Sequence, residues 1–337
     1  MTAYNNYTIE LTFKSPIATP LQSDTIFGHI CWAIRFLKWE KENRLGEFIN
    51  LYDESNPPLL VSNGFPKGYL PKPILPPVTQ EELDTIVGKE KRIENSFKIK
   101  TIRKLDIIPK ETFRELQKEE VITPEKLFST LINKFDDIEK FKSKSHVVVV
   151  QRNTINRMGR KTEGGLYSQE ETFFGIDGSK YEIYLKTNYF SYKELDRIFS
   201  YISEEGFGKD KSTGKGYFAF EIIEGNDLPE ANKPNAFMTL SSYIPSENDP
   251  VEGYYSILHK FGKLGGLYAK GVSEVGGNPF KVPLIMFTAG STFRDESYQN
   301  GKVYGSLLKK VHHNASIRHY AYAYPLGISI EDKNENL

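Results

Sequence analysis

The alternation of apolar and polar residues over 7–223 predicts the element order β-α-β-β-α-β once longer interruptions are set aside. Strands show a period of two, and helices show apolar residues at i, i+3 and i+4 after a capping residue. This order is that of a ferredoxin-like or RRM-like domain. The clearest predicted strands are 7–13, 181–186 and 218–222. The first predicted helix has Ser23 as its N-cap, and the second begins with the capping box Ser191/Glu194.

Three segments interrupt this order. Residues 57–77 contain seven prolines, so they are predicted to be extended and rich in turns. A charged stretch at about 78–145 contains the capping box Thr79/Glu82 and the helix start Thr123-Pro124, which predict a helical insertion with a mostly solvated surface. Residues 146–175 are predicted to form a long hairpin that starts with a short buried strand, Val147–Val150.

The second half of the chain has weaker patterns. Strands are predicted at Phe237–Tyr243, Val282–Thr288 and Ser316–Tyr324, with a short helix at Ser306–Val311 and a glycine-rich connection at 262–277. We therefore predict an α+β protein of two domains, residues 1–230 and 231–337.

Composition narrows the function classes. The 337 residues contain 44 Lys plus Arg and 44 Asp plus Glu, so any affinity for nucleic acid must come from local patches. Cys31 is the only cysteine, which excludes an intramolecular disulfide and a cysteine-built zinc site. The start MTAYNNYTIEL lacks the features of a secretion signal, and no apolar run has the length of a membrane span. These observations predict a cytoplasmic protein that does not enter a membrane.

The loop GFGKDKSTGKGYF, residues 206–218, combines four glycines with three lysines. Its spacing does not match a P-loop or a dinucleotide fingerprint, and it connects a helix to a strand rather than a strand to a helix. Glycine allows close backbone approach to an anion, and lysine and hydroxyl side chains suit phosphate. A mobile, solvated connection explains the same composition. The candidate phosphate contacts are Gly208, Lys209, Lys211, Ser212, Thr213 and Lys215.

The hairpin segment QRNTINRMGRK, residues 151–161, contains four basic residues and no acidic one. Arginine and asparagine suit phosphates and the unstacked bases of single-stranded RNA. A hairpin tip made basic for solubility is the alternative. The candidate RNA contacts are Arg152, Asn153, Asn156, Arg157, Arg160 and Lys161. If these residues and the glycine-rich loop meet phosphates, RNA affinity should fall steeply with salt.

A helix followed by GxGxxxxxGxG and a strand resembles the glycine-rich loop of the CRISPR RAMP superfamily. Further segments resemble the fourth Csm subunit of type III-A effector complexes. They are FKSPIATPLQSDTIFGHICWAI, GFPKGYLPKPILPP, RNTINRMGRKTEGGLYSQEETFF and PFKVPLIMFTAGSTF. These segments follow one another in the family's order and together extend over both halves of the chain. The insertion at 79–145 is not covered by the resemblance.

The resemblance implies two RRM-like domains, a thumb-like hairpin and a subunit without catalysis or cofactor. It implies that the protein holds the 5′ handle of crRNA between the large polymerase-like subunit and the backbone subunit. Gln22 and Ser23 would then approach the handle. Ser291, where an apolar strand ends, is a further candidate contact of the handle backbone, with a plain strand-end turn as the alternative. Two alternatives remain open: a RAMP endoribonuclease that processes precursor crRNA with His29 as a base, and the equivalent subunit of the type III-B complex.

The remaining candidate residues favour structural roles. His29 has no second histidine nearby in sequence, so we expect it to be a hydrogen-bonded polar residue. His312 and His313 lack further ligands at metal-site spacing and are expected in an exposed loop. Tyr320, Tyr322 and Tyr324 alternate on one strand face, where core packing is favoured over base stacking.

Overall fold

The structure, a computed structural model, describes residues 4–40, 42–54, 56–118, 121–137, 145–153, 165–175 and 179–331. Its α-helices are α1 (Ser23–Phe36), α2 (Arg44–Asn50), α3 (Gln80–Val87), α4 (Ser96–Arg103), α5 (Lys110–Lys118), α6 (Pro124–Asn133) and α7 (Tyr192–Glu205). Its strands are β1 (Asn5–Phe13), β2 (Leu59–Pro66), β3 (Tyr69–Pro71), β4 (Ile107–Pro109), β5 (Ser145–Asn153), β6 (Leu166–Phe174), β7 (Lys180–Thr187), β8 (Phe218–Glu224), β9 (Ala236–Thr239), β10 (Gly253–Tyr254), β11 (Ile257–Lys260), β12 (Leu284–Phe287), β13 (Thr292–Arg294), β14 (Leu307–Leu308), β15 (His319–Tyr320) and β16 (Pro325–Ile328). Among the helices in these ranges, none has the length and apolarity needed to cross a membrane.

The first sheet has the strand order β2-β7-β1-β8, with every pair antiparallel. Its central strand β1 buries Ile9 and Leu11, and helices α1 and α7 pack against each other on the sheet. The order β1-α1-β2-β7-α7-β8 is ferredoxin-like, as predicted. The strand β2 lies within the proline-rich segment 57–77, and Pro66 is its last residue.

The insertion contains helices α3 to α6, as predicted, together with the short pair β3 and β4. The capping box at Thr79 and Glu82 is present, and the Thr123 hydroxyl accepts from the Lys126 amide. The surface of this insertion is less solvated than its charge suggests, because the apolar sides of its helices, including Phe113 and Leu131, join the main core.

The strands β5 and β6 pair only with each other along their length and form the predicted hairpin. The prediction that Val147–Val150 is a buried strand is wrong in its burial. Val147 and Val149 are 66% and 57% exposed, because the described residues do not cover the face of the hairpin that carries them. An isolated bridge between Ile17 and Thr172 connects the hairpin to the segment that follows β1.

The second half contains a four-stranded antiparallel sheet with the order β10-β13-β9-β16. The fold class is α+β, as predicted, although residues 206–331 contain 3-10 turns and no α-helix. The helix predicted at Ser306–Val311 is wrong, since Leu307 and Leu308 pair with Tyr320 and His319 as strands. Tyr320, Tyr322 and Tyr324 are buried, which decides for core packing.

The two halves share one apolar core, and a polar joint fastens them beside the start of α1. The side-chain oxygen of Asn63 accepts the amide N–H groups of Ser23 (2.8 Å) and Ser242 (3.3 Å). The backbone N–H of Asn63 donates to the Leu240 carbonyl at 2.8 Å. This joint holds the first sheet and the second sheet in a fixed relation around α1, while the domain boundary near residue 230 stays a prediction.

Candidate nucleic-acid interface

The glycine-rich loop, residues 206–216, is a closed turn between α7 and β8. Its two ends meet because the Phe207 amide donates to the Gly216 carbonyl at 2.8 Å. Gly216 has a φ of +71°, and a Cβ there would lie 2.0 Å from the Phe207 carbonyl oxygen. Only glycine fits this position. The glycine content of the loop therefore serves its closure as well as its turns.

Three anchors hold the glycine-rich loop against the beginning of the chain. The Gly208 amide donates to His29 Nε2 at 3.0 Å, and the Lys209 amide donates to the Thr19 hydroxyl at 3.0 Å. The Gly216 amide donates to the Pro16 carbonyl at 2.9 Å. The amides of Gly208 and Lys209 are thus engaged inside the protein. This corrects the expectation that these backbone N–H groups face a phosphate. The lysine side chains and the exposed Ser212 remain as candidate phosphate contacts of the loop.

His29 is the hydrogen-bonded polar residue that the sequence predicts. Its Nε2 accepts the Gly208 amide, and its ring lies 4.7 Å from that of Phe207. Burial, and secondly the nearby Lys211 ammonium, lower the pKa of His29 to about 3. The imidazole is therefore neutral at physiological pH, with its Nε2 lone pair already engaged.

The hairpin and the glycine-rich loop meet at the carboxylate of Glu171 in β6. Arg152 in β5 donates to Glu171 Oε1, and Lys215 donates to Glu171 Oε2. Glu171 is 1% exposed, whereas the side chains of Arg152 and Lys215 are 31% and 15% exposed. Burial acts to raise the pKa of Glu171, but the hydrogen bonds from Lys215 and Arg152 outweigh it, so this pKa lies below its usual range.

A second contact joins the same two segments. The side-chain amide of Gln169 donates to Asp210 Oδ2 at 2.6 Å and to Glu171 Oε1 at 3.3 Å. Asp210 has a φ of +62°, and its carbonyl accepts the Thr213 hydroxyl at 2.8 Å. The structure therefore brings Arg152 of the hairpin and Lys215 of the glycine-rich loop together, although the two residues lie far apart in sequence.

The other predicted contacts differ in accessibility. Lys209 and Ser212 are exposed on the loop, and Asn153 is exposed at the end of β5. Lys211 lies 3.4 Å from Glu205, and the Thr213 hydroxyl hydrogen is used within the turn. The predicted contacts Asn156, Arg157, Arg160 and Lys161 lie outside the described residues.

Burial corrects the expectation for two serines. Ser23 is fully buried, and its hydroxyl accepts the Ser242 amide at 3.2 Å. Ser291 is also fully buried, and its hydroxyl finds no partner among the described residues. Neither hydroxyl is accessible from outside, because the two halves close over both. Gln22 remains partly exposed, with its side-chain oxygen bound to Lys260 Nζ at 2.5 Å.

Sequence reasoning missed the acidic and polar residues that organise this interface, namely Glu171, Gln169 and Thr19. A pairing of Glu171 with Arg152 depends on the register of the hairpin, in which Glu171 lies opposite Val148 and Arg152 opposite Tyr167. All four side chains share one face of the hairpin, since residues alternate between faces. The only signal in the sequence is the pair Glu170-Glu171 in an otherwise uncharged strand.

The histidine pair does not form a metal centre within the described part of the chain. The expectation that His312 is exposed is wrong: it is 7% exposed, its Nε2 lies 2.9 Å from the Asn278 carbonyl, and its Nδ1 accepts the Asn314 amide. His313 is exposed, as predicted. The two rings are held by loop packing, which explains their presence without a ligand.

No family model matches the sequence, and no curated protein does. Solved structures are similar over nearly the whole chain. A chain of the Csm1-Csm4 cassette in complex with pppApA is 16% identical with a TM-score of 0.56, covering 97% of this chain and 99% of that one. A chain of the same cassette in complex with AMPPNP is 17% identical, with the same TM-score and coverage.

A third structure comes from a different assembly. A chain of the Csm3-Csm4 subcomplex in the type III-A CRISPR-Cas interference complex is 15% identical with a TM-score of 0.57, covering 96% of this chain and 99% of that one. The similarity extends through both halves of the chain and leaves little of either protein unmatched. The resemblance of the sequence motifs to the fourth Csm subunit is thereby confirmed at the level of the fold, and this chain has the α+β fold found in type III-A CRISPR-Cas complexes.

Proposed function

We propose that the protein is a non-catalytic RNA-binding subunit of a type III-A CRISPR effector complex that holds the 5′ handle of crRNA. The observation that carries the proposal is the meeting of Arg152 and Lys215 at one buried carboxylate. It joins the hairpin and the glycine-rich loop into one surface that carries Arg152, Lys215 and the exposed Lys209, on a chain without net charge. The fold shared with the Csm1-Csm4 and Csm3-Csm4 structures supports this role.

The proposed contacts are the accessible members of the predicted set within the described residues. Lys209, Lys211 and Ser212 would bind handle phosphates on the loop, and Arg152 and Asn153 would bind the junction of handle and spacer. Asn156, Arg157, Arg160 and Lys161, which lie outside the described residues, stay proposed contacts of that junction on the sequence alone. The proposed partners are the large polymerase-like subunit and the backbone subunit, in the cytoplasm. The structures named above contain Csm1-Csm4 and Csm3-Csm4 pairs, which supports this choice of partners.

The state of His29 favours binding over cleavage. A general base needs a free lone pair and a pKa near the working pH. His29 Nε2 accepts the Gly208 amide, and its pKa is lowered to about 3. The endoribonuclease alternative therefore requires the glycine-rich loop to release His29 before any proton transfer.

Purified protein incubated with labelled repeat RNA tests the proposal. We expect binding that weakens with salt, no cleavage over hours, and weaker binding after Lys209→Gln combined with Lys211→Gln. A Lys98→Gln plus Lys126→Gln variant in the insertion is the matched control and should bind like the unchanged protein. Cleavage that His29→Ala abolishes would establish the endoribonuclease alternative instead.

Co-expression with the large and backbone subunits tests the assembly. We expect the three proteins to co-purify with a crRNA whose 5′ end is repeat-derived. Co-purification with subunits of a type III-B complex would assign the protein to that complex, and a monomer free of RNA would contradict the proposed role.

A further inference from the structure

The cluster at Glu171 has an uneven charge balance. Two cations, Arg152 and Lys215, share one carboxylate, and both of its oxygens are already occupied by them. Arg152 and Lys215 together exceed this directly bound carboxylate by one positive charge. A second acid, Asp210, receives only the neutral side-chain amide of Gln169, so its negative charge acts on Arg152 from a greater distance.

The arrangement is layered from inside to outside. Glu171 lies beneath at 1% exposure, and the two cationic side chains lie above it with part of their surface in solvent. Each is in hydrogen-bond contact with one oxygen of the same carboxylate, so their nitrogen atoms are at most about 8 Å apart. A single phosphate group can make charge-assisted hydrogen bonds to both over such a distance.

The donors of the two side chains are not exhausted by Glu171. Lys215 has three N–H groups, and one of them is used on the carboxylate, while its Nζ lies 5.4 Å from the centre of the Phe173 ring. Arg152 has five N–H donors, of which one on Nη2 is used on Glu171, while its Nε is buried without an acceptor among the described residues. The donors that remain on the exposed parts of Arg152 and Lys215 are therefore the Nη hydrogens of the arginine and the Nζ hydrogens of the lysine, and these can bind an anion from the solvent side.

We propose that Arg152 and Lys215 bind one and the same phosphodiester group of the RNA, and that Glu171 is the positioning residue that holds them together. This inference rests on the proposed function, because the phosphate is that of the bound RNA. In this arrangement the two cations neutralise one phosphate together, whereas a count of basic residues would predict two neutralised phosphates. It also makes the hairpin and the loop a single unit, since neither segment supplies the phosphate site alone.

The salt dependence of RNA binding tests the proposal, because its slope reports how many phosphates are neutralised. Each phosphate contact contributes about 0.7 to the log–log slope for single strands. Removing either cation leaves the other paired with Glu171 at zero net charge. We therefore expect Arg152→Gln and Lys215→Gln each to reduce the slope by about 0.7, and the double variant to reduce it by about 0.7 as well.

The matched control combines Arg152→Gln with Lys209→Gln, since Lys209 is exposed and lies on a different part of the loop. This pair should reduce the slope additively, by about 1.4. An additive loss for Arg152→Gln with Lys215→Gln would instead show two separate phosphates and overturn the inference. Unchanged slopes in both single variants would overturn it too.

Glu171→Gln tests the positioning role. Without the carboxylate the two cations are no longer held at one place, so we expect the losses from Arg152→Gln and Lys215→Gln to become additive in that background. Coupling that persists without Glu171 would contradict its role. If the unchanged protein fails to bind repeat RNA, the proposed function itself fails; if it binds and the losses simply add, only this inference fails.

Discussion

Tyr320 in the second half of the chain and Val61 in the first are joined by a hydrogen bond. The Val61 amide in β2 donates to the Tyr320 hydroxyl oxygen at 2.8 Å, and both residues are buried. An RNA-binding sheet would use such a tyrosine to stack bases, but Tyr320 is buried and hydrogen-bonds the first half of the chain to the second. Its polar end satisfies a backbone group that no neighbouring strand reaches.

Tyr320→Phe should lower the free energy of unfolding by about 1–3 kcal/mol, because it leaves the buried Val61 amide without an acceptor. Chemical denaturation measures this loss. The control is Tyr324→Phe, which removes a buried hydroxyl that has no partner among the described residues. That variant should be as stable as the unchanged protein or slightly more stable, and equal losses in both would contradict the assignment.

A buried ion pair attaches the insertion to the first sheet. Lys110 in α5 lies 3.0 Å from Glu182 in β7, with the two side chains 4% and 7% exposed. Lys110→Met should cost about 3–5 kcal/mol, because it leaves the Glu182 charge buried without its partner. The control is Asp227→Asn, which removes the exposed second partner of Lys110 at 2.7 Å. That change should cost less than about 1 kcal/mol in the same denaturation experiment.

Alanine substitutions at Gly216 and Gly214 separate the cost of a positive φ from the cost of a steric clash within the glycine-rich loop. Both have a positive φ, but a Cβ on Gly216 meets the Phe207 carbonyl, whereas a Cβ on Gly214 meets nothing within 4 Å. Gly214→Ala should cost about 1–2 kcal/mol of conformational strain. Gly216→Ala should cost more and should also weaken RNA binding, because the loop cannot close. Similar binding by the two variants would show that loop closure does not matter for RNA.

Acid should destabilise the protein before its carboxylates titrate. Burial, and secondly Lys281, lower the pKa of His319 to about 3, and the pKa of His29 is lowered to the same value. As the pH falls from 6.5 towards 3, the unfolded chain therefore binds up to two more protons than the folded protein, so stability falls as the pH falls. Each histidine contributes at most about 1.4 kcal/mol per pH unit, and the two together contribute about 3 kcal/mol between pH 6.5 and 5, since each is half protonated in the unfolded chain at pH 6.5.

Denaturation midpoints at pH 7.5, 6.0 and 5.0 measure this dependence. His29→Gln preserves an acceptor for the Gly208 amide and removes one titrating group. It should therefore reduce the slope of stability against pH by about half. A stability that stays constant between pH 6.5 and 5 would show that the two imidazoles are protonated in the folded protein.

The local elements follow from short-range rules that can be read along the chain. The capping boxes at Thr79 and Ser191 and the proline after Thr123 begin helices where predicted, because each satisfies free amides within a single turn. Gly206 follows the last residue of α7 with a φ of +83°, as its position predicts. The order of strands and helices in the first half has the same local origin.

The sequence-based predictions that the structure contradicts concern burial and the pairing of residues far apart in the chain. The valines of β5 have the composition of a buried strand, yet Val147 and Val149 are exposed because nothing in the described chain covers their face of the hairpin. Ser23 and Ser291 lie at the end of a helix and of a strand, where serine is usually accessible. Both are nevertheless buried by the opposite half of the chain. No local pattern reports which distant surface covers a residue.

By itself, the sequence determined the α+β class, most helices and strands of the first half, and the two cationic segments that suggest RNA, since each depends on neighbours within a few residues. Only the tertiary structure decided that these segments meet, that Glu171 joins Arg152 to Lys215, and that His29 is engaged by Gly208. Those relationships depend on hairpin register and on the packing of α1 against the loop. Their energies come from contacts between residues far apart in the chain, which composition and periodicity do not encode.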